Sequence, residues 1–309
     1  MSKVVKAFKL IFNPSKLIVR LNEKKLGRLF PNKFYLKRAF RFSMGKKLNL
    51  KNPKTFCEKL QWLKLYNRNP EYTKFVDKYE VKEYVAEKLG EEYVIPTLGV
   101  WDKFEDIDFD SLPNQFVLKC THDSGGLVIC KDKASLDIDK ARKKIKKALK
   151  RNYYLLHREW PYKNVKRRII AEKYMVDESG YDLKDYKFFC FNGEVKMFFI
   201  ERDRAKGRNG HKVDFFDANK NHLPITVDGY PNTEPPYFFP NNFEKMKEFA
   251  SELSKGIPQV RVDFYNINGQ VYFGEMTFFH ASGMAKFEPE EWDYKLGEWI
   301  DLSLVKGKK

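Results

Sequence analysis

Arg261-Val-Asp-Phe-Tyr-Asn-Ile-Asn-Gly-Gln-Val-Tyr-Phe-Gly-Glu-Met-Thr277 is the stretch that decides the fold of this chain. Aromatic and β-branched residues flank an Asn268-Gly269 turn signal, which predicts a β-hairpin. Residues two apart on a strand share a face, so Glu275 and Thr277 point the same way. The apolar content predicts that at least one face is buried. Acidic side chains in such a hairpin require a cation.

The register of this hairpin decides whether Asp263 joins Glu275 on one face. A plain two-residue turn would pair Asp263 with Gly274 and put Glu275 on the opposite face. A three-residue loop over residues 267–269, with its glycine left-handed, instead sets Arg261 across from Glu275. We predict this second register, and a surface hairpin with solvated acids is the alternative. The shared face then offers oxygen ligands suited to magnesium and a guanidinium suited to phosphate: Arg261, Asp263, Glu275 and Thr277.

A second segment offers a phosphate-binding loop. Phe116-Val-Leu-Lys119 predicts a strand that ends in a lysine, and Leu127-Val-Ile-Cys130 predicts another strand. Between them lies Cys120-Thr-His-Asp-Ser-Gly-Gly126, a small polar loop. Adjacent glycines let backbone N–H groups approach anionic oxygens closely, and Ser124 adds a hydroxyl. An ordinary turn is the alternative, and the chain contains no Gly-x-x-x-x-Gly-Lys-Ser/Thr and no Gly-x-Gly-x-x-Gly run.

Further segments follow in a definite order along the chain. Lys78 lies on a helix predicted over residues 71–89, whose apolar positions recur at helical spacing. A strand is predicted over Ile169-Ile-Ala-Glu-Lys-Tyr-Met175. A strand pair is predicted around Asp185-Tyr-Lys187 and the Asn192-Gly193 turn, and the acidic hairpin comes last.

This succession resembles the ATP-grasp superfamily, and more narrowly its TupA-like branch, which is named for teichuronopeptide biosynthesis. The resemblance covers roughly residues 43–302. It implies an α+β fold of ATP-grasp architecture, in which two α+β lobes clasp ATP, behind a basic helical N-terminal extension. The expected organisation is a basic amphipathic extension (1–50), a helical and α/β segment (51–112), a small ATP-binding lobe (113–172) and a larger lobe with the metal-binding hairpin (173–309).

The resemblance implies an ATP site, whose residues are carried over only where this sequence matches the family pattern. Lys78 and Lys119 match the lysines that contact the phosphates of ATP. The loop after Lys119 matches the flexible phosphate lid, and residues 172–175 match the hinge that holds adenine and ribose. These cofactor-binding positions are Ser124, Gly125, Gly126, Glu172, Lys173, Tyr174 and Met175.

The resemblance also implies the reactive end of the site. Asp185 and Lys187 match a family pair near the phosphates, and Asp263 and Glu275 match the carboxylates that bridge metal ions. Thr277 stands where many ATP-grasp enzymes have asparagine, so the choice between one and two magnesium ions stays open. The catalytic candidates are Lys187 and Arg261, and Arg261 is expected to hold the γ-phosphate or an acyl phosphate.

The implied reaction is ATP-dependent amide formation. A substrate carboxylate attacks the γ-phosphate of ATP to give an acyl phosphate and ADP, and an amine then displaces phosphate. Such chemistry depends on positioning and charge neutralisation, which explains the need for ATP with Mg²⁺ and for cationic side chains.

We expect a ligase of bacterial surface polysaccharide biosynthesis (capsule, teichuronopeptide or O-antigen). Its partners are a surface-glycan or lipid-linked glycan precursor and an amino acid or other amine, and it is expected to join an amino acid to a uronic acid. Alanine at Asp263 and Glu275 is expected to abolish ATP turnover with the fold largely intact.

Two other activities stay open. A glycosyltransferase would suit a polysaccharide role, and Asp108-Phe-Asp110 offers an Asp-x-Asp metal motif, although its surroundings favour an exposed loop before Pro113. An ATP-grasp kinase that phosphorylates a glycan would use the same architecture. Sugar release without ATP would indicate the first, and a stable phosphorylated product would indicate the second.

Composition excludes several classes of protein. The chain has 309 residues, of which 42% are hydrophobic and 16% aromatic, so it is a folded protein large enough for a sizeable core. Its four cysteines form no Cys-x-x-Cys pair, which argues against a zinc site or a disulfide framework and favours a reducing cytoplasm.

The net charge of +17 is concentrated in two blocks. Residues 1–50 hold 14 basic residues against one acid, interleaved with apolar residues. No apolar run there is long enough for a membrane span or a signal peptide. A basic amphipathic segment is what an anionic membrane surface attracts, so residues 1–41 are expected to place a cytoplasmic protein at the inner face of the plasma membrane. Helices that pack on the protein's own core are the alternative.

The second basic block is residues 131–168, with 15 basic residues against four acids. A helix is predicted from Asp137 to Arg151, with one apolar face and most of its lysines elsewhere. This face could hold a polyanionic glycan, and a solvated helix face is the alternative. Nucleic acid is not an expected partner, because the aromatic residues lie in apolar strands and show no recognisable binding module.

Overall fold

The computed structural model describes residues 29–177, 183–203, 207 and 210–305. The part of the predicted N-terminal extension before residue 29 lies outside these residues. The described helices are α1 (Asn32–Met44), α2 (Phe56–Tyr66), α3 (Tyr72–Val76), α4 (Val81–Leu89), α5 (Ile138–Leu149), α6 (Tyr153–His157), α7 (Phe243–Leu253) and α8 (Glu291–Glu298). The strands are β1 (Thr97–Trp101), β2 (Phe116–Cys120), β3 (Leu127–Cys130), β4 (Ile169–Lys173), β5 (Asp185–Phe191), β6 (Glu194–Arg202), β7 (Lys212–Asp217), β8 (His222–Leu223), β9 (Thr226–Val227), β10 (Val260–Ile267), β11 (Gln270–Thr277) and β12 (Phe287–Glu288).

The described residues form two compact units. The larger unit consists of Pro70–Arg151 and Asn164–Phe278. The smaller unit combines Asn152–Lys163 with the described residues of Met1–Asn69 and Phe279–Lys309. The larger unit holds a four-stranded and a six-stranded antiparallel sheet, and it contains every residue of the candidate site.

The four-stranded sheet has the order β1-β4-β2-β3. Its buried residues on β2 include Leu118, and α5 packs Ile145 and Ala148 into the same core. Gly126 lies under this helix, because a Cβ there would stand 2.6 Å from the Cβ of Ala148. The two strands predicted at the lysine loop and the helix predicted over residues 137–151 are confirmed, whereas the predicted strand over residues 169–175 ends at Lys173.

The six-stranded sheet has the order β11-β10-β5-β6-β7-β8 and separates two kinds of face. On one face, Phe188 and Phe198 stack at 5.5 Å, and both contact Phe243 of α7. Lys187 is adjacent to Phe188 on β5, and Asp263 lies directly across from Lys187 on β10. The side chains of Lys187 and Asp263 therefore point to the opposite face of the sheet. The pair β5–β6 turns at Asn192-Gly193 with both residues left-handed, which confirms the predicted strand pair.

The register predicted for the acidic hairpin is wrong, but its grouping of side chains is confirmed. The turn is the plain two-residue Asn268-Gly269, with φ of 52° and 85°. A β-bulge after Asp263 inserts Gly274 into β11, so that Asp263 lies across from Glu275. One extra residue exchanges the faces of a strand beyond the bulge. The bulge therefore does what the longer loop was expected to do, and one face carries Arg261, Asp263, Glu275 and Thr277.

The single helix predicted over residues 71–89 is also wrong. Helices α3 and α4 are separated at residues 77–80, because the Asp77 carboxylate accepts hydrogen bonds from the backbone N–H groups of Tyr79 (2.8 Å) and Glu80 (3.3 Å). Aspartate offers the backbone such an alternative to helical hydrogen bonding. Lys78 thus lies at a break between helices, where its N–H donates to the carbonyl of Thr121 at 3.1 Å.

The smaller unit is built on α2 and α8. Helix α2 begins with a capping box, in which the side chains of Thr55 and Glu58 satisfy each other's backbone N–H groups. Gly297 of α8 lies against the start of this helix, because a Cβ there would meet the Lys54 carbonyl at 2.2 Å. At the other end of α2, the fully buried Lys64 donates to the carbonyls of His157 and Ser282, and its burial lowers its pKa to about 8.

Gly274→Ala tests the bulge. A Cβ at this position would lie 3.0 Å from the backbone oxygen of Asp263, which cannot rotate away. We expect the free energy of unfolding to fall by about 1–3 kcal/mol in urea denaturation. Gly269→Asn is the matched control, since nothing lies within 4 Å of its Cβ and asparagine tolerates the left-handed region. An equal loss in both variants would mean that the bulge is not the constrained element.

Candidate functional site

A cavity of about 420 Å³ lies in the larger unit, where the four-stranded sheet meets the β10–β11 hairpin. Strands β2, β3 and β4 supply one side, and the hairpin supplies the other. Apolar walls with a few convergent cations suit a ligand that has a flat apolar ring and an anionic tail. The lining includes the apolar residues Val94, Ile95, Val117, Ile129, Tyr265 and Phe273 and the cations Lys78, Lys82, Lys119 and Lys131.

Part of the predicted ATP-binding set lines this cavity, and part does not. The predicted phosphate lid is not among the lining residues. Ser124 and Gly125 are exposed on their loop, Gly126 is buried beneath α5, and the Ser124 carbonyl accepts a hydrogen bond from Arg151 at 3.2 Å. The lid role of this loop stays a prediction. The predicted residues that do line the cavity are Lys78, Lys119, Glu172, Lys173, Tyr174 and Met175.

Glu172 fixes two lysines at the cavity wall. Its side chain is only 6% exposed, and its two oxygens pair with Lys82 at 2.6 Å and Lys119 at 2.5 Å. Burial alone would raise the pKa of this carboxyl group, but the two ammonium groups outweigh burial and lower it. Lys82 also donates to the Ile95 carbonyl (2.7 Å) and the Thr97 hydroxyl (2.9 Å), so three partners hold it in place. The Glu172 carboxylate is thus engaged by lysines.

Lys78 connects the cavity with the acidic face of the hairpin. It lines the cavity, and its Nζ lies 4.0 Å from Glu275 Oε2. The Glu275 side chain is 45% exposed, which makes it the accessible carboxylate of the hairpin. An anionic ligand that extends from the cavity towards Glu275 would therefore pass the ammonium group of Lys78.

Asp263 is the centre of the acidic face. Arg261 donates to both of its oxygens, from Nε to Oδ1 and from Nη2 to Oδ2, each at 2.7 Å. Lys187, directly across on β5, donates to Oδ2 at 2.7 Å. The same guanidinium reaches Thr277 at 3.0 Å and Glu275 at 3.3 Å. Every predicted catalytic and metal-binding residue therefore belongs to one contact cluster.

Burial and pairing act in opposite directions on these groups. Burial alone would raise the pKa of Asp263, but Arg261 and Lys187 outweigh it and lower that pKa. Burial would lower the pKa values of Lys187 and Arg261, and the Asp263 carboxylate raises both above their ordinary values. The aspartate therefore stays ionised and the two cations stay charged. Groups with shifted pKa values are common at functional sites.

The oxygen donors of the cluster suit a divalent cation. Lys187 also lies 3.7 Å from Asp185 and 3.6 Å from Glu201. Four carboxylates, those of Asp185, Glu201, Asp263 and Glu275, thus lie around the two cations Lys187 and Arg261, and Lys78 lies beside Glu275. Within the described residues, no three acidic, histidine or cysteine side chains form a ready-made metal site. Carboxylate and hydroxyl oxygens are nevertheless the donors that Mg²⁺ prefers.

A comparison with known protein families identifies the family of this chain. The model of the TupA-like ATP-grasp family matches residues 58–301. The chain belongs to the TupA-like ATP-grasp family. This match confirms the resemblance drawn from the sequence and the α+β ATP-grasp fold.

Solved ATP-grasp structures show more distant similarity to this family member. D-alanine–D-alanine ligase from Bacillus anthracis is 17% identical, with a TM-score of 0.42 over 75% of this chain and 69% of that one. The Helicobacter pylori enzyme is 16% identical, with a TM-score of 0.39 over 81% and 70%. The ATP-grasp ligase PsnB, complexed with minimal precursor, Mg and ADP, is 10% identical, with a TM-score of 0.40 over 72% and 57%.

No curated protein sequence matches the chain. Among the helices described here, none is long and apolar enough to cross a membrane.

The sequence patterns of this TupA-like chain did not reveal three residues of the site. Lys82 and Lys131 line the cavity, and Glu201 lies across from Asp185. Lys82 follows Lys78 by four residues, a spacing that would have paired them on one helix. Glu201 is brought opposite Asp185 by a second bulge, between Phe189 and Cys190, which local sequence does not mark.

Glu172→Gln tests the lysine clamp. We expect a loss of about 3 kcal/mol in the free energy of unfolding at pH 7, because two partly buried ammonium groups lose their counter-charge. The folded-state pKa of Glu172 is lowered, so its contribution is present above its ordinary pKa of 4.5 and is lost as pH falls through the folded value. Urea denaturation from pH 7 downward should therefore show the variant and the wild type converging. A constant difference at all pH values would contradict the ionic clamp.

Asp263 and Glu275 are expected to respond differently to substitution. Asp263→Asn removes the negative charge that pairs with the buried cations Arg261 and Lys187. We expect its free energy of unfolding to fall by about 3 kcal/mol. Glu275→Gln alters a half-exposed group and should change stability by less than about 0.5 kcal/mol. The expectation that both changes spare the fold thus applies to Glu275 alone. Equal melting temperatures for the two variants would contradict this difference.

Proposed function

We propose that this TupA-like ATP-grasp protein is a ligase that activates a substrate carboxylate with ATP and joins it to an amine. The supporting observation is the continuity between a lysine-rimmed apolar cavity and the buried Asp263 cluster, through Lys78. Such a site offers a place for a purine, a path for a triphosphate and a set of charges for the reacting phosphoryl group.

The cavity divides into a nucleoside part and a phosphate part. Ile129 and Met175 supply apolar surface for adenine, and the segment that follows β4 supplies backbone hydrogen-bonding groups. Lys119, oriented by Glu172, and Lys78 supply positive charge for the phosphates. Charge-assisted contacts to ammonium groups suit phosphate oxygens.

Asp263, Glu275 and Thr277 are the residues that would hold Mg²⁺, which supplies charge neutralisation along the triphosphate. Arg261 and Lys187 would then donate to the transferred phosphoryl group and to the acyl phosphate. Both cations are held on rigid strands by Asp263, so little reorganisation is needed when the phosphoryl charge develops.

The proposed reaction has two displacements. A carboxylate oxygen bonds to the γ-phosphorus as the bond to the bridging oxygen of ADP breaks. An amine nitrogen then bonds to the acyl carbon as the bond to phosphate breaks, and the nitrogen releases one proton. The products are an amide, ADP and inorganic phosphate.

The proposed substrates come from bacterial surface polysaccharide biosynthesis. The TupA-like branch takes its name from teichuronopeptide, and a uronic acid with an amino acid would supply the carboxylate and the amine. Since the reaction consumes ATP, we place it in the cytoplasm, where the four buried free cysteines would stay reduced. A glycosyltransferase gains no support from Asp108-Phe-Asp110, because Asp108 accepts hydrogen bonds from the backbone of Asp110 and Ser111 in an exposed turn.

The reaction is tested with ATP, Mg²⁺, uronic-acid glycans and amino acids, followed by mass spectrometry. The proposal expects amide, ADP and phosphate in equal amounts. Lys119→Met should lower kcat/KM for ATP by about 10–100-fold through loss of a charge-assisted contact. Lys147→Met, on the exposed side of α5, is the matched control and should leave it unchanged. A stable phosphorylated glycan would instead make the protein a kinase, and sugar release without ATP would make it a transferase.

A further inference from the structure

Helix α1 has two faces of different character. Along the helix, pairs of buried residues alternate with pairs of residues that face outward. The buried residues are Tyr35, Leu36, Ala39 and Phe40. Two hydrogen bonds fix this face on the smaller unit, from the Tyr35 hydroxyl to the Leu156 carbonyl (2.7 Å) and from the Tyr154 hydroxyl to Asn32 (2.9 Å). The helix therefore cannot turn its outer face inward.

The outer face combines positive charge with exposed aromatic rings. Phe34 is 39% exposed and Phe42 is 41% exposed, and Leu29, just before the helix, is 77% exposed. The Arg38 guanidinium lies 5.4 Å from the Phe34 ring. Helix α1 contains no acidic residue, and its basic residues all belong to this outer side: Lys33, Lys37, Arg38 and Arg41.

Helix α5 shows that charge alone is not what distinguishes α1. Its outer side carries exposed Lys140, Lys143, Lys144 and Lys147, but none of its residues is a large exposed hydrophobic. Lysines without apolar neighbours are typical of a solvated helix face. Aromatic rings interleaved with basic residues instead match the interface of an anionic bilayer, where rings enter the headgroup layer and cations pair with lipid phosphates.

The preceding segment of the chain is not complementary to this face. Residues 1–28 hold eight basic residues against a single acid. Their charge has the same sign as that of the outer face, so an intramolecular cover would bring like charges together. An anionic partner has the charge that this face requires.

We propose that the outer face of α1 docks the protein on an anionic membrane surface, with Phe34 and Phe42 entering the headgroup layer. The proposal does not depend on the ligase activity, since α1 lies in the smaller unit and the ATP cavity in the larger one. It narrows the membrane contact expected for residues 1–41 to one surface of a single helix.

The test is flotation of the full chain with vesicles of phosphatidylcholine alone or with phosphatidylglycerol at increasing salt. Binding is expected only to the anionic vesicles. Reversing four charges on α1 (Lys33→Glu, Lys37→Glu, Arg38→Glu and Arg41→Glu) should weaken partitioning by roughly tenfold or more. Reversing the four α5 lysines named above changes the net charge equally and should weaken it far less.

A second pair of variants separates insertion from charge. Phe34→Ser with Phe42→Ser leaves the net charge unaltered and should weaken partitioning by roughly threefold or more. Thermal unfolding of each variant verifies that the fold survives. Equal losses from the α1 and α5 reversals would mean non-specific attraction of a polycation. Full binding by the α1 charge-reversal variant would assign membrane contact to residues 1–28, and full binding by the serine variant would show that Phe34 and Phe42 do not enter the headgroup layer; each result would overturn the proposal.

Discussion

The structure of the larger unit depends on one buried carboxylate held by two cations. Asp263 accepts from Arg261 of its own strand and from Lys187 of β5, both at 2.7 Å, and the Lys187 contact requires the register that sets the two residues directly across from each other. A shift of β10 by a single residue would turn Asp263 towards the phenylalanine core around Phe188 and Phe198. Such a shift would put an ionised group into an apolar environment, which is far more costly than any single hydrogen bond. The charged cluster thus selects the register of the sheet.

A cluster of this kind is weak evidence for stability. Desolvation of several ions can offset their mutual attraction, and well-packed apolar residues would often stabilise the same place equally well. The sheet nevertheless carries charge on one face and stacked aromatic rings on the other. Asp263 keeps Lys187 and Arg261 charged, because it raises the pKa of both, and it orients both side chains by hydrogen bonds. Glu172 likewise orients Lys119 at the cavity wall.

Local patterns predicted the elements of this site, and long-range geometry decided their alignment. Alternation and the Asn268-Gly269 signal predicted the hairpin, and the order of segments predicted the family. The register was missed because the bulge at Gly274 depends on the fit between β10 and β11, which has no local signature. The helix break at Asp77 was missed because Asp77 also pairs with Arg168, ninety-one residues away, at 2.9 Å. Glu201 was missed for the same reason as the hairpin register, since a bulge brings it opposite Asp185.

The most direct test of the ATP site is a crystal structure with Mg²⁺ and a non-hydrolysable ATP analogue. We expect adenine against Met175 and Ile129, the triphosphate alongside Lys119 and Lys78, and the γ-phosphate in contact with Arg261 or Lys187. A nucleotide bound elsewhere, or one whose γ-phosphate stays out of contact with the Asp263 cluster, would contradict this expectation.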